Sequence, residues 1–363
     1  MFLNCPTLHS DVKITPKMND LKYLTAYAIP LCALTGLYYG GLWAYLTPIY
    51  AFVIVPILEA VFPKQLDNIS EDQRAQKKQL HWTDFLLYAN IIIVFGILYL
   101  TLSQLTRMTY SLSEQIGLIF SCGIVIGSNG INVAHELGHR KSRIEQQLGK
   151  LLLLPALYMH FYIEHNFGHH LNAATPEDPA TAKYNQSLYA FWLSSIPGQY
   201  RSAWRIQRNL LSREGRGFLS VYNDMLWYHI LQMMYLGLLF FVFGGFGVLI
   251  AFFAALAGVL LLETINYIEH YGLRRKKLES GRYERVREVH SWNSNHIFGR
   301  IMLYELTRHS DHHYRSNKKY QLLDYHDISP QLPYGYPTAM VLSMIPPLWF
   351  RLMNKHIPKD QLG

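Results

Sequence analysis

The chain has 363 residues, 50% of them hydrophobic and only 16% charged, with 33 Lys and Arg against 25 Asp and Glu for a net charge of +8. Its mean hydropathy of +0.04 averages long apolar blocks against very polar segments, a pattern that excludes an ordinary soluble domain and a disordered chain alike. Cys5, Cys32 and Cys122 have no CxxC spacing, so neither disulfides nor a thiolate metal site are expected.

The first twenty residues are polar, with His9, Asp11, Lys13 and Lys17, and lack the layout of a cleaved signal. Six apolar stretches follow, at 22–39, 42–62, 85–105, 116–134, 222–243 and 247–266, each long enough to cross a hydrocarbon layer of roughly 30 Å. The first is expected to act as an uncleaved insertion signal. Three connections are very short: Gly40–Gly41, Thr106–Ser111 and Gly244–Gly245. Arg107 is their only basic residue, so these turns face outward. The N-terminus, the 63–84 loop, the 136–220 segment and the C-terminal tail then face the cytoplasm. The positive charge is thus a topology signal, and no nucleic-acid partner is expected.

Segments 136–220 and 267–363 together form a cytoplasmic cap. Leu151–Ile163 and Ala339–Trp349 are apolar but too short to span and read as short cap helices, the second broken by Pro346 and Pro347. No stretch alternates like a strand. The expected fold class is an all-α integral membrane protein, one domain over 1–363, with six transmembrane helices and a helical cap.

Nine of the 17 histidines fall into four clusters. AHELGHR places His135 and His139 four apart, on one helical face. EHNFGHH supplies His165, His169 and His170, NYIEHYG carries His270, and LTRHSDHHY gives His309, His312 and His313. Each multiple cluster is expected to aim two or three nitrogens at one place. Neutral imidazole binds iron, copper, nickel and zinc, and nine ligands exceed what one ion holds; two ions are implied. HELGH also spells the HExxH of zinc proteases, with Glu136 to activate water, but that reading leaves the clusters at 165–170 and 309–313 without a purpose.

These motifs resemble those of the membrane-bound alkane 1-monooxygenases, relatives of the fatty acid desaturases and hydroxylases. HELGHR, EHNFGHH, the ATPEDPATAK segment at Ala174–Lys183, NYIEHYGLRRKK, SGRYERV, HSWNSNH, LTRHSDHH and PQLPYGYPTAM occur in the family's order over roughly 20–355. The HxxxHH second box and the motif around His270 point to hydroxylase over desaturase. Thr307 and Tyr314 depart from the usual Gln and Ala. The resemblance implies that His135, His139, His165, His169, His170, His270, His309, His312 and His313 bind two irons. It implies O2-dependent terminal hydroxylation of linear alkanes in a bacterial inner membrane. Fatty-acyl or alkyl-aromatic oxidation is the alternative.

Glu136, Glu164, Asp178, Glu269 and Asp311 lie beside the histidines and are candidates to accept their second ring N–H. An alkane has no polar handle, so an apolar tunnel from the membrane must bind it, with Trp43, Tyr45, Tyr50 and Phe52 as candidate lining. Of the other histidines, His229 reads as polar near a helix end, His290 and His296 as shaping HSWNSNH, and His9, His81, His326 and His356 as surface; His160 is ambiguous. There is no dinucleotide fingerprint, so no bound nicotinamide or flavin is expected. The resemblance implies electrons from a rubredoxin, reduced by an NAD(P)H-dependent reductase, docking on the basic cap.

Overall fold

A computed structural model describes residues 18–361; Cys5, His9 and the polar lead-in around them lie outside it. Among the described residues there are helices, turns and three isolated bridges but no strand, as the all-α reading expects.

The first predicted span is split. Met18–Tyr27 is a 3-10 turn, and α1 covers only Ala28–Tyr39. Its polar start explains why: Lys22 and Tyr23 both bind the Glu305 carboxylate, at 3.2 and 2.7 Å, and Asp20 pairs with Lys77. These residues belong to the polar half of the molecule. Gly40 and Gly41, at φ 61° and 55°, make the turn into α2 (Gly41–Val61). The helix α3 (Glu71–Lys78) opens on a Ser70–Gln73 capping box, and α4 spans His81–Arg107. Ser111 caps α5 (Leu112–Gly138) together with Glu114, whose other oxygen accepts the Gly41 N–H at 2.7 Å and ties the two turns together.

In the cap, α6 covers Arg143–Leu152. The expected helix over Leu151–Ile163 does not form. Pro155 removes a donor and Leu157 takes a left-handed φ of 54°, so helix resumes only at Phe161, as α7 (161–172). Not foreseen was α8 (Leu188–Arg213), 26 residues long inside the segment read only as polar. Its buried residues Leu188, Phe191, Ser195, Gln199 and Ala203 recur at helical spacing, and Ser195 and Gln199 donate to the buried Glu263 at 2.7 and 2.8 Å.

The two last predicted spans form α9 (Asp224–His270), broken at Gly244 where φ 69° and ψ −174° leave the helical region. Its course is a hairpin. Asp224 pairs with Lys150 of α6 at 3.1 Å, Phe243 meets Tyr99 edge-on toward the far end of α4, and His270 comes back to the histidine clusters. Gly123 and Gly127 of α5 meet Ala257 and Gly258 of α9 so closely that a Cβ on Gly123 would lie 2.5 Å from that of Ala257. Among the described residues four helices, α2, α4, α5 and α9, are long and apolar enough to cross a membrane. The chain ends with α10 (Ile297–Met302), α11 (His309–Tyr314), α12 (Tyr336–Ser343) and α13 (Pro346–Met353), the last two parted before Pro346 and Pro347 as expected.

Candidate metal centre

The nine clustered histidines come from the end of α5, from α7, from the end of α9 and from α11, and all converge. They form two groups whose nitrogens lie within 4.8 Å of one another: His135, His139, His165, His170 and His312 in one, His169, His270, His309 and His313 in the other. The groups adjoin, with the His170 and His313 rings stacked at 4.4 Å.

Each multiple cluster aims two of its nitrogens at one place, as expected, and the third histidine of EHNFGHH and of LTRHSDHHY joins the other group. His165 and His169, four apart, go to different groups, whereas His165 and His170, five apart, meet with Nε2 atoms 3.0 Å apart. The cause is backbone winding. Residues His165–His169 form a π-turn, which aligns side chains at i and i+5 instead of i and i+4. In the α-helical α11, His309 and His313 do share a group at 2.9 Å, and His312 points to the other. A second π-turn, Ile126–Ile131, precedes His135.

Within the first group the Nε2 atoms of His139, His165 and His170 lie 3.0–3.1 Å from one another. Three imidazoles in mutual contact cannot all be satisfied as donors and acceptors. The buried Nε2 atoms of His135, His169 and His312 have no hydrogen-bond partner at all. Lone pairs aimed at common points from a rigid frame are what a pair of imidazole-binding cations requires, so the donor set fits two transition-metal ions. Burial, followed by the mutual repulsion of charged neighbours, pushes His139 down to about 3 and His165, His170, His309, His312 and His313 well below the ordinary imidazole value. They are neutral at physiological pH, as ligation demands.

The five candidate carboxylates take different places. Asp178 Oδ2 receives the Nδ1 of His169 at 2.9 Å and the Thr181 hydroxyl at 2.6 Å. Burial pushes the Asp178 carboxyl up, but His169 and these hydrogen bonds hold it below the usual range. Glu269 approaches the other side of a ligand ring: its Oε2 lies 3.2 Å from His309 Nε2, while Tyr336 donates to its Oε1 at 2.9 Å. Glu136 is held by Arg140 at 2.8 Å and by the Tyr320 N–H, and Asp311 by Lys318 and His326. Glu164 is buried beside Ser202 and, among the described residues, forms no ion pair with a histidine. Because Glu136 is occupied by Arg140, the water-activating base of an HExxH protease is missing here.

Two groups that the sequence did not single out complete the frame. The carbonyl of His290 faces His270 Nδ1 at 3.4 Å, and Arg308, beside His309, donates to the carbonyls of Leu323 and Asp67. Arg308 stood in the LTRHSDHH run, but nothing in the spacing distinguishes an anchor from a surface charge. The remaining histidines are tied locally: His229 to Tyr200 and the Met225 carbonyl, His296 to Ser294, and His326 to Asp311, which makes it half-buried instead of surface. His160 is buried against the Tyr158 and Tyr200 rings; His81 and His356 are exposed.

Directly against both groups lies an apolar cavity, part of it continuous with the exterior. His135, His165, His309, Asn132, Asn266 and Glu269 line its polar end; Ile29, Val55, Ile124, Leu262, Met302 and Met340 are among its apolar walls. Of the four aromatic residues expected there, only Phe52 lines it. Trp43 packs at a tilt against Tyr39 at the turn end and is half exposed, the Tyr45 hydroxyl is held by the Ser113 carbonyl, and Tyr50 stands behind Met302 with its hydroxyl 3.9 Å from the sulfur.

Residues 115–342 match the profile of the fatty acid desaturase family. Alkane 1-monooxygenase 2 of Alcanivorax borkumensis is 36% identical over 357 residues, covering 94% of this chain and 91% of the relative. Alkane 1-monooxygenase 1 of Pseudomonas aeruginosa is 38% identical over 87% of this chain and 83% of its own length. More distant is the hydroxylase component of the Pseudomonas putida xylene/toluene monooxygenase, 28% identical over 94% and 90% of the two chains.

Proposed function

Since the chain belongs to the alkane 1-monooxygenases of the fatty acid desaturase family, we propose that it hydroxylates the terminal carbon of linear alkanes to primary alcohols, using two irons held by its nine clustered histidines. The observation that carries this reading is the meeting of an apolar cavity with both histidine groups: a substrate without polar atoms reaches His135, His165 and His309 at once. His135, His139, His165, His170 and His312 hold one iron, and His169, His270, His309 and His313 the other.

When bound, an iron pair supplies the activation of dioxygen that breaks an unactivated C–H bond. The side chains do the rest. The neutral imidazoles present lone pairs without a proton to displace. Asp178 accepts the Nδ1–H of His169 and so fixes its tautomer and ring plane. Val55, Ile124, Leu262 and Met302 exclude water and leave a narrow apolar channel in which a chain end is presented to the histidine groups. Tyr336 holds the Glu269 carboxylate at the mouth of the second group, the one ionisable oxygen donor on the cavity wall.

In the membrane, α9 crosses twice about Gly244 and α1 with its 3-10 lead-in once, giving six crossings with the centre and both termini on the cytoplasmic side of a bacterial inner membrane. The exposed Lys141 and Arg315, two residues beyond His139 and His313, support docking of an acidic electron carrier there. That carrier is a rubredoxin, recharged by an NAD(P)H-dependent reductase.

The test is conversion of a panel of linear alkanes and methyl-substituted aromatics by the purified protein with a rubredoxin and its reductase. Oxygen-dependent formation of 1-alkanols is expected. Preferential oxidation of the aromatic methyl groups would favour the xylene-type alternative, and olefins or no oxygen-dependent product would refute hydroxylation.

A further inference from the structure

A second recess opens between α5 and α9 on the outside of the bundle. Phe120, Phe253, Leu256 and Leu260 form its wall, and Trp192 and Met344 its rim toward the cap. Phe253 and Leu256 are 46% and 38% exposed, on a helix face whose other outward residues, Leu249 and Phe252, are also bare. Such a face is stable against hydrocarbon and not against water. Thr264 also lines the recess, but its hydroxyl donates to the Leu260 carbonyl at 2.6 Å, which removes its polarity.

Leu261 lines both this recess and the cavity beneath the histidines. The glycine seam brings the two spaces close together. At Gly127 a Cβ would lie 3.3 Å from the Gly258 carbonyl oxygen and 3.6 Å from Leu261 Cβ. The two helices therefore approach closely, and at Gly127 itself α5 contributes no side chain. The side chain common to the two spaces is the Leu261 isobutyl group, which moves by side-chain rotation with the backbone still.

Resting on the assignment of the deep cavity to an alkyl substrate, we propose that the hydrocarbon chain passes from the bilayer into the cavity through the α5/α9 recess, with Leu261 as its gate. An unbranched chain fits the path because the wall of the recess is apolar and the Thr264 hydroxyl is satisfied internally. The passage also places the first contact of the substrate at bilayer depth, where an alkane is concentrated.

The experiment uses the iron-loaded protein in lipid vesicles and an alkane bearing a photoreactive diazirine, with labelled residues mapped by mass spectrometry over time. In the unaltered protein, labelling of Phe253 and Leu256 precedes labelling of Met302 and Ile265. Leu260→Trp and Leu256→Trp narrow the recess without lining the cavity. In whichever of them retains its iron, labelling of Met302 and Ile265 slows about tenfold with its final extent unchanged, since an obstructed path alters rates and not equilibrium. Leu261→Ala accelerates it. Cavity labelling at the unaltered rate in the iron-retaining Trp variants overturns the passage while leaving the alkyl site standing. Absence of cavity labelling in the unaltered protein overturns both.

Discussion

His270 is the lone histidine of its motif, yet its Nε2 lies 3.3 Å from that of His309 in the four-member group. His270→Ala is expected to lose about one of two irons per chain, because three remaining imidazoles hold the ion weakly; metal analysis checks this. Asp178 acts through His169. In Asp178→Leu the Nδ1 loses its acceptor, and a metal affinity lower by about 10- to 100-fold is expected, with Asp178→Asn intermediate. Acid should act on the same residues. His139, His165, His170, His309, His312 and His313 have folded-state values below the ordinary imidazole value near 6.5, so below that pH the unfolded chain binds more protons. The metal-free protein is therefore expected to be indifferent to these groups above about pH 6.5 and to lose up to about 1.4 kcal/mol per histidine for each pH unit below it. Denaturant titrations at pH 7 and pH 5 measure the difference, and equal midpoints would contradict the neutral, buried state of these rings.

At the level of elements, the breaks at Gly40 and Gly244 follow from local chemistry that a sequence displays, whereas the break at Pro155 interrupts a stretch read as one helix. The convergence of the nine histidines was legible as a matter of spacing and chain order. Their division was not. A π-turn at His165–His169 has no residue signature, and an α-helical reading of EHNFGHH pairs the wrong two rings. Deleting Phe167 returns the segment to α-helical register; the expected result is loss of metal from the first group with helix content by circular dichroism unchanged. The tunnel lining was illegible because it depends on which face of α2 turns inward, and the π-turn at Tyr50–Ile54 rotates that face so that Phe52 looks in and Tyr50 sits behind Met302. The helix α8 was missed since its buried face is partly polar: Ser195 and Gln199 point inward to satisfy Glu263.

For the whole molecule, the bundle and the cap are joined by polar contacts that only a chain-spanning view explains, such as Lys22 and Tyr23 on Glu305. The apolar exterior, with Leu42, Ile92 and Phe241 at 80% exposure or more, suits lipid. Close approach of α5 and α9 sets the position of His270 and brings the recess close to the cavity at Leu261. Gly258→Leu would place its Cβ 2.9 Å from Ile126 Cγ2 and force the helices apart, so a destabilisation of about 1–3 kcal/mol and poor recovery of folded protein in detergent are expected. Whether the nine histidines hold a pair of redox-active ions is measured most directly by elemental analysis of the purified, folded protein. About two irons per chain, lost in proportion when His135 or His313 is replaced, is the predicted result; a single zinc with no iron would contradict it.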